Sequence, residues 1–64
     1  MQEEDLKEFE GKNIKIVLNN NYQYNGEIIS LSRDSLKFKD KYNAVILISL
    51  DHIKFVRENV KNDN

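Results

Sequence analysis

Hydrophobic positions along this chain change their period once, at Gly11. Before it, Leu6 and Phe9 stand three apart among Glu3, Glu4, Asp5, Glu8 and Glu10, a spacing that puts both on one side of a helix. Acids in the first turn suit the positive end of the helix dipole, and a glycine suits a left-handed C-terminal cap. One short helix is predicted over Met1 to Glu10. From Asn13 the period becomes two: Ile14, Ile16 and Leu18 point one way, Lys15 and Val17 the other.

Four more strands follow by the same rule. Asn19 to Asn21 form a tight hairpin, because asparagine tolerates positive φ better than other non-glycine residues. The second strand runs from Tyr22 to about Ser32 and is interrupted by Gly26, which marks a bulge or bend that lets a short sheet curl into a barrel. Arg33 and Asp34 turn the chain into a third strand, Ser35 to Asp40, where Leu36 and Phe38 alternate with Lys37 and Lys39. After the loop Lys41-Tyr42-Asn43, a fourth strand from Ala44 to Ser49 is apolar on both faces, so a neighbour is expected over its outer face. Leu50-Asp51-His52 is a single turn, Ile53 to Arg57 the fifth strand, and residues 58–64 a frayed polar tail. The fold class is therefore mainly β, a short N-terminal α-helix followed by a five-stranded, strongly bent antiparallel small barrel, in one domain over residues 1–57.

Composition sharpens the picture in two ways. The chain has 64 residues, and one this short buries only about 60% of the surface its unfolded form exposes, so small folds usually add disulfides, metals or partner subunits. With no cysteine and one histidine, self-association is the route that remains. Charge is also uneven. The formal net charge is -1, yet residues 1–10 sum to -4 and the remainder to +3, an acidic leader on a mildly basic body. No apolar run approaches the roughly 18 residues of a membrane span, and the acidic start does not read as a secretory signal. The expectation is a cytoplasmic protein with no membrane association.

The alternation before Leu18-Asn19-Asn20, Gly26 followed by Ile28, and the closing Ile53-x-x-Val56 resemble the Sm fold shared by Sm, Sm-like and bacterial Hfq proteins. The resemblance covers Leu6 to about Arg57. It implies a ring of six or seven subunits, strand four of one pairing with strand five of the next, that binds single-stranded RNA, often U-rich or A-rich, through the loops after strand two and before strand five. A head-to-tail pairing of unlike edges closes into a ring when the rotation permits. The loops differ from the family pattern. Ser32 stands where the first motif usually has Asp, Ser49-Leu50-Asp51 replaces the Arg-Gly of the second, and Asp51, not His52, aligns with the histidine that Hfq proteins carry.

Candidate RNA-binding residues are Arg33, Asp34, Ser35, Asp51 and His52 in those loops, with Tyr24 and Lys37 on the strands. Each has a plainer reading. His52 is a turn residue or a base-stacking contact, Asp51 a turn cap, and Tyr24 core packing or a stacking platform. The Lys37, Lys39, Lys41 stripe is a solvated face or a phosphate track. The acidic helix is a soluble cap, or a surface that repels RNA and leaves another face for binding. No Ser/His/Asp set, cysteine nucleophile, glycine-rich phosphate loop or metal constellation is present, so the reading is non-enzymatic, with no cofactor. The alternative function is a non-catalytic oligomeric scaffold or protein-interaction module.

Overall fold

A computed structural model describes residues 1–60. Residues 61–64 of the expected tail lie outside it. The chain is mainly β, one short N-terminal helix followed by a five-stranded antiparallel sheet: α1 (Glu3–Leu6), β1 (Ile14–Leu18), β2 (Gln23–Leu31), β3 (Ser35–Asp40), β4 (Val45–Ser49) and β5 (Ile53–Glu58). The strand order is β4-β3-β2-β1-β5.

The predicted ten-residue helix is shorter and changes type. After α1 the chain tightens into a 3-10 turn at Lys7–Phe9. A 3-10 turn repeats every three residues, so it stacks Leu6 and Phe9 on one line. Leu6 is fully buried, and Phe9 packs on the same cluster. Gly11 then takes φ 79, the left-handed conformation predicted for it.

Both hairpins on the long side of the sheet use one solution. Leu18 N donates to Tyr22 O and Asn21 N to Leu18 O, both at 2.8 Å, with Asn21 at φ 69. Asp40 N donates to Ala44 O at 2.9 Å and Asn43 N to Asp40 O at 3.0 Å, with Asn43 at φ 68. Each is a three-residue loop ending in a left-handed asparagine, the geometry that returns a right-twisted strand on its neighbour. In the second, Asp40 Oδ1 also accepts from Tyr42 N and Ala44 N, each at 2.9 Å.

Gly26 marks a close approach between β2 and β3. It lies opposite Ile14 on one side and Asp40 on the other, and a Cβ there would collide with the Lys39 carbonyl oxygen and come within 2.8 Å of Asp40 Cα. The bulge itself is elsewhere. Ile28 pairs with Phe38 and Ser30 with Lys37, so Ile29 is the extra residue in β2. A second irregularity lies in the β1–β5 ladder, where Val17 opposes Phe55 and Leu18 opposes Ile53, leaving Lys54 over.

One face of the sheet and the N-terminal segment enclose the core: Leu6, Ile14, Ile16, Ile28, Leu36, Phe38, Ile48, Leu50 and Ile53. Val17 faces the other way, as its spacing predicts, yet it is only 5% exposed, flanked directly by Gln23 and Phe55. The expected barrel is not closed, since no ladder joins β4 to β5. Parity explains this. An all-antiparallel sheet of five strands can close only by making its outer two parallel, and parallel neighbours need a crossover of a dozen or more residues. Only Leu50–His52 separate β4 from β5.

Two further boundaries differ from expectation. The fifth strand continues through Glu58, and Asn59 is not frayed: its backbone N donates to Asn13 O at 2.9 Å and its Nδ2 to Asn13 Oδ1 at 2.7 Å. Within the single chain the outer face of β4 is exposed. Val45 is 60% exposed and Leu47 71%.

Candidate functional site

The short link Leu50–His52, a 3-10 turn, joins the loops at the two opposite ends of β2, which the bend of the sheet brings together. β4 remains on β3, with Ser49 opposite Ser35, while β5 must start on β1, with Ile53 opposite Leu18. The turn therefore bridges two loops that are distant in sequence. Leu50 N donates to Asp34 O at 3.0 Å, and Asn19 N donates to His52 O at 2.8 Å. Asn19 Nδ2 adds a bond to Asp51 O at 3.1 Å. Leu50 anchors the arrangement because its side chain is buried in the core.

Five of the seven predicted site residues gather here. Arg33 and Asp34 occupy the β2–β3 loop, which Ser32 braces by donating from its backbone N and its Oγ to Ser35 O, both at 2.9 Å. Ser35 is half-buried at the start of β3, and Asp51 and His52 are exposed on the turn. Tyr24 and Lys37 lie elsewhere. Tyr24 stands opposite Ile16 and packs against the core, the plainer of its two readings. Lys37 is on the outer face of β3, between Ser30 and Leu47.

Two hollows flank the turn. One, of about 260 Å³, is lined by Leu18, Asn19, Asn20 and His52. Asn20 Oδ1 accepts from Tyr22 N at 3.0 Å and Asn19 Nδ2 is held by Asp51, so Asn19 Oδ1, Asn20 Nδ2 and the imidazole are the polar groups left to a ligand. An apolar wall with a few amide and ring nitrogens suits a planar polar ring such as a nucleobase. The other hollow, of about 310 Å³, sets Arg33 among Gln2, Glu3, Glu4 and Lys7. Its acids, with Asp34 and Asp51, make this end of the molecule a poor one for phosphate.

Leu18, Asn19 and Asn20 belong to the site and were read from sequence only as strand and hairpin. The signal that joins them to His52 is a backbone hydrogen bond across 33 residues, which no local pattern encodes. Comparison with known proteins returns no matching family model, no matching curated protein and no matching solved structure. No helix among the described residues is long and apolar enough to cross a membrane.

Proposed function

We propose that this protein is an Sm-like subunit that self-assembles, as a ring of six or seven copies, and binds single-stranded RNA of U-rich or A-rich sequence in RNA metabolism or as an RNA chaperone. The observation that carries the reading is the open sheet. Both of its outermost strands have an unpaired edge, and each exposes apolar side chains on the outer face, Val45 and Leu47 on β4 and Phe55 on β5. Unpaired edges with apolar neighbours recruit another strand. Unlike edges on one subunit make a head-to-tail contact, which closes rings. The strand order and the meeting of the β2–β3 and β4–β5 loops support the Sm-like part of the reading. The hollow at Asn19, Asn20 and His52 supports a base-binding role.

Native mass spectrometry with absorbance at 260 nm tests this directly. The expected species is a hexamer or heptamer that carries nucleic acid from the host; a clean monomer overturns the reading. A second reading, an oligomeric scaffold that binds no RNA, is favoured by the exposed acids Asp34 and Asp51 in the two loops joined by the turn, which repel phosphate. A ring free of nucleic acid, with no saturable binding to short U-rich or A-rich RNA at micromolar protein and low salt, selects that alternative.

A further inference from the structure

The outer face of the sheet is cationic although the chain is not. Among the described strand residues, Lys15, Arg57, Lys37 and Lys39 lie on it against one acid, Glu27. Lys37 and Lys39 each have a neutral or acidic cross-strand partner: Lys37 lies between Ser30 and Leu47, and Lys39 between Glu27 and Val45. Lys15 does not. It sits in the middle of a three-strand row with Arg57 directly opposite on β5 and Asn25 directly opposite on β2.

Residues directly opposite on antiparallel strands have Cβ atoms about 4.5–5.5 Å apart, and like charges there repel. Among the described residues no carboxylate is ion-paired with either side chain. The one ion pair among the described residues joins Lys12 to Glu58 at 3.6 Å, and Glu58 faces away from Arg57 by the alternation of the strand. Glu27 lies across from Lys39, one row along. Lys15 is moreover half-buried, where a charge is screened less than in open water. Asn25 completes the row with a fixed amide. Its Oδ1 accepts from Asn59 Nδ2 at 3.1 Å, and this leaves its own Nδ2 to donate. Two cations and an amide donor in one row on a rigid sheet form a receptor for a phosphate group.

We propose that Lys15, Arg57 and Asn25 form a phosphate-binding site on the outer face of the β5–β1–β2 part of the sheet. Its occupant in the assembled protein is a backbone phosphate of the single strand. That source rests on the RNA-binding reading above, whereas the site itself does not. The location also separates two tasks: the Asn19, Asn20 and His52 hollow takes a base at an acidic end, and the sheet face takes the backbone.

The test has two arms. In the first, the thermal midpoint of the full chain is followed in sodium pyrophosphate against sodium chloride at equal ionic strength. The wild type is expected to gain stability selectively in pyrophosphate. Lys15→Gln and Arg57→Gln are expected to lose that gain while melting no lower than wild type in chloride, because each removes a repulsion. Lys12→Gln, whose side chain pairs with Glu58 and not with this row, keeps the gain. An equal response to both salts, or a gain that survives in Lys15→Gln and Arg57→Gln, overturns the site. In the second arm, fluorescence anisotropy measures binding of short labelled RNA from low to moderate salt. One phosphate contact contributes about 0.7 to the slope of log K against log salt for a single strand, so the double variant, which loses the one site, falls by about 0.7. Binding with an unchanged slope in the double variant leaves the RNA reading standing and removes Lys15 and Arg57 from it. A selective pyrophosphate gain in a protein that binds no RNA upholds the site with free phosphate as its ligand, and overturns the RNA reading instead.

Discussion

Replacing Gly26 with alanine gives the sharpest test of how the sheet is built. The added Cβ meets backbone on the neighbouring strand, not the end of a flexible side chain: the Lys39 carbonyl oxygen, and Asp40 Cα at 2.8 Å. Ordinary contact begins near 3.4 Å, so β2 and β3 must separate by at least about 0.6 Å at this row. Overpacking of this kind costs about 1–3 kcal/mol. Disturbing one or two ladder hydrogen bonds adds about 1 kcal/mol each. A total of about 2–5 kcal/mol is expected, against a whole stability of about 3–10 kcal/mol for a chain of this length. Gly11→Ala is the matched control. That residue has φ 79 with no atom within 4 Å of its would-be Cβ, so only backbone strain of about 1–2 kcal/mol applies. Urea denaturation followed by far-ultraviolet circular dichroism measures both, with the m-value checking that the transition stays two-state. A Gly26→Ala loss below about 1 kcal/mol, or a larger loss at Gly11 than at Gly26, refutes the close approach of the strands.

Three further outcomes follow from the same contacts. Leu47→Asp places a charge on the outer face of the β4 edge, where the residue is 71% exposed, so it is expected to leave the melting of the single chain within about 0.5 kcal/mol while abolishing the proposed assembly in size-exclusion chromatography. Asp40→Ala leaves the backbone N–H groups of Tyr42 and Ala44 without their acceptor and is expected to cost about 1–3 kcal/mol in denaturant, with Asp40→Asn, which keeps one carbonyl oxygen, costing less. Leu6→Ala is expected to cost about 2–5 kcal/mol, since the side chain is fully buried; a loss under 1 kcal/mol in the same assay means the N-terminal segment is not part of the core.

Local pattern was enough to find the five strands and the left-handed asparagine in the first hairpin, because both depend on residues within a few positions of one another. The alternation Ile14, Ile16 against Lys15 names the core face directly. What escaped it depends on pairing. The extra residue in β2 is Ile29 and not Gly26, because a bulge is a mismatch between two strands and only one of them can be read at a time. Val17 alternates outward but is buried, since Phe55 arrives beside it from 38 residues away. The end of β5 was placed too early for a similar reason, its last contacts being with Asn13. Of the site, the two loops were legible as places, while the participation of Asn19 and Asn20 depended on how the turn at Leu50–His52 lands on them. Closure of the barrel failed on a count of strands that the pattern itself supplied.

The β1–β5 ladder has a kinetic consequence. Strands β1 to β4 form by zipping neighbouring hairpins, the two tightest through loops of three residues, but β5 must find β1 across the whole meander, Ile53 against Leu18. Closing that loop of some 35 residues costs about 2 kcal/mol more chain entropy than closing one of three. Docking of β5 is therefore expected to come late in folding, which a φ-value near zero at Phe55 checks, and until it occurs β1 remains an open template. At high protein concentration the β5 of another copy competes for that template on equal chemical terms, so refolding dilution, more than final stability, is expected to govern how much of the chain returns correctly folded.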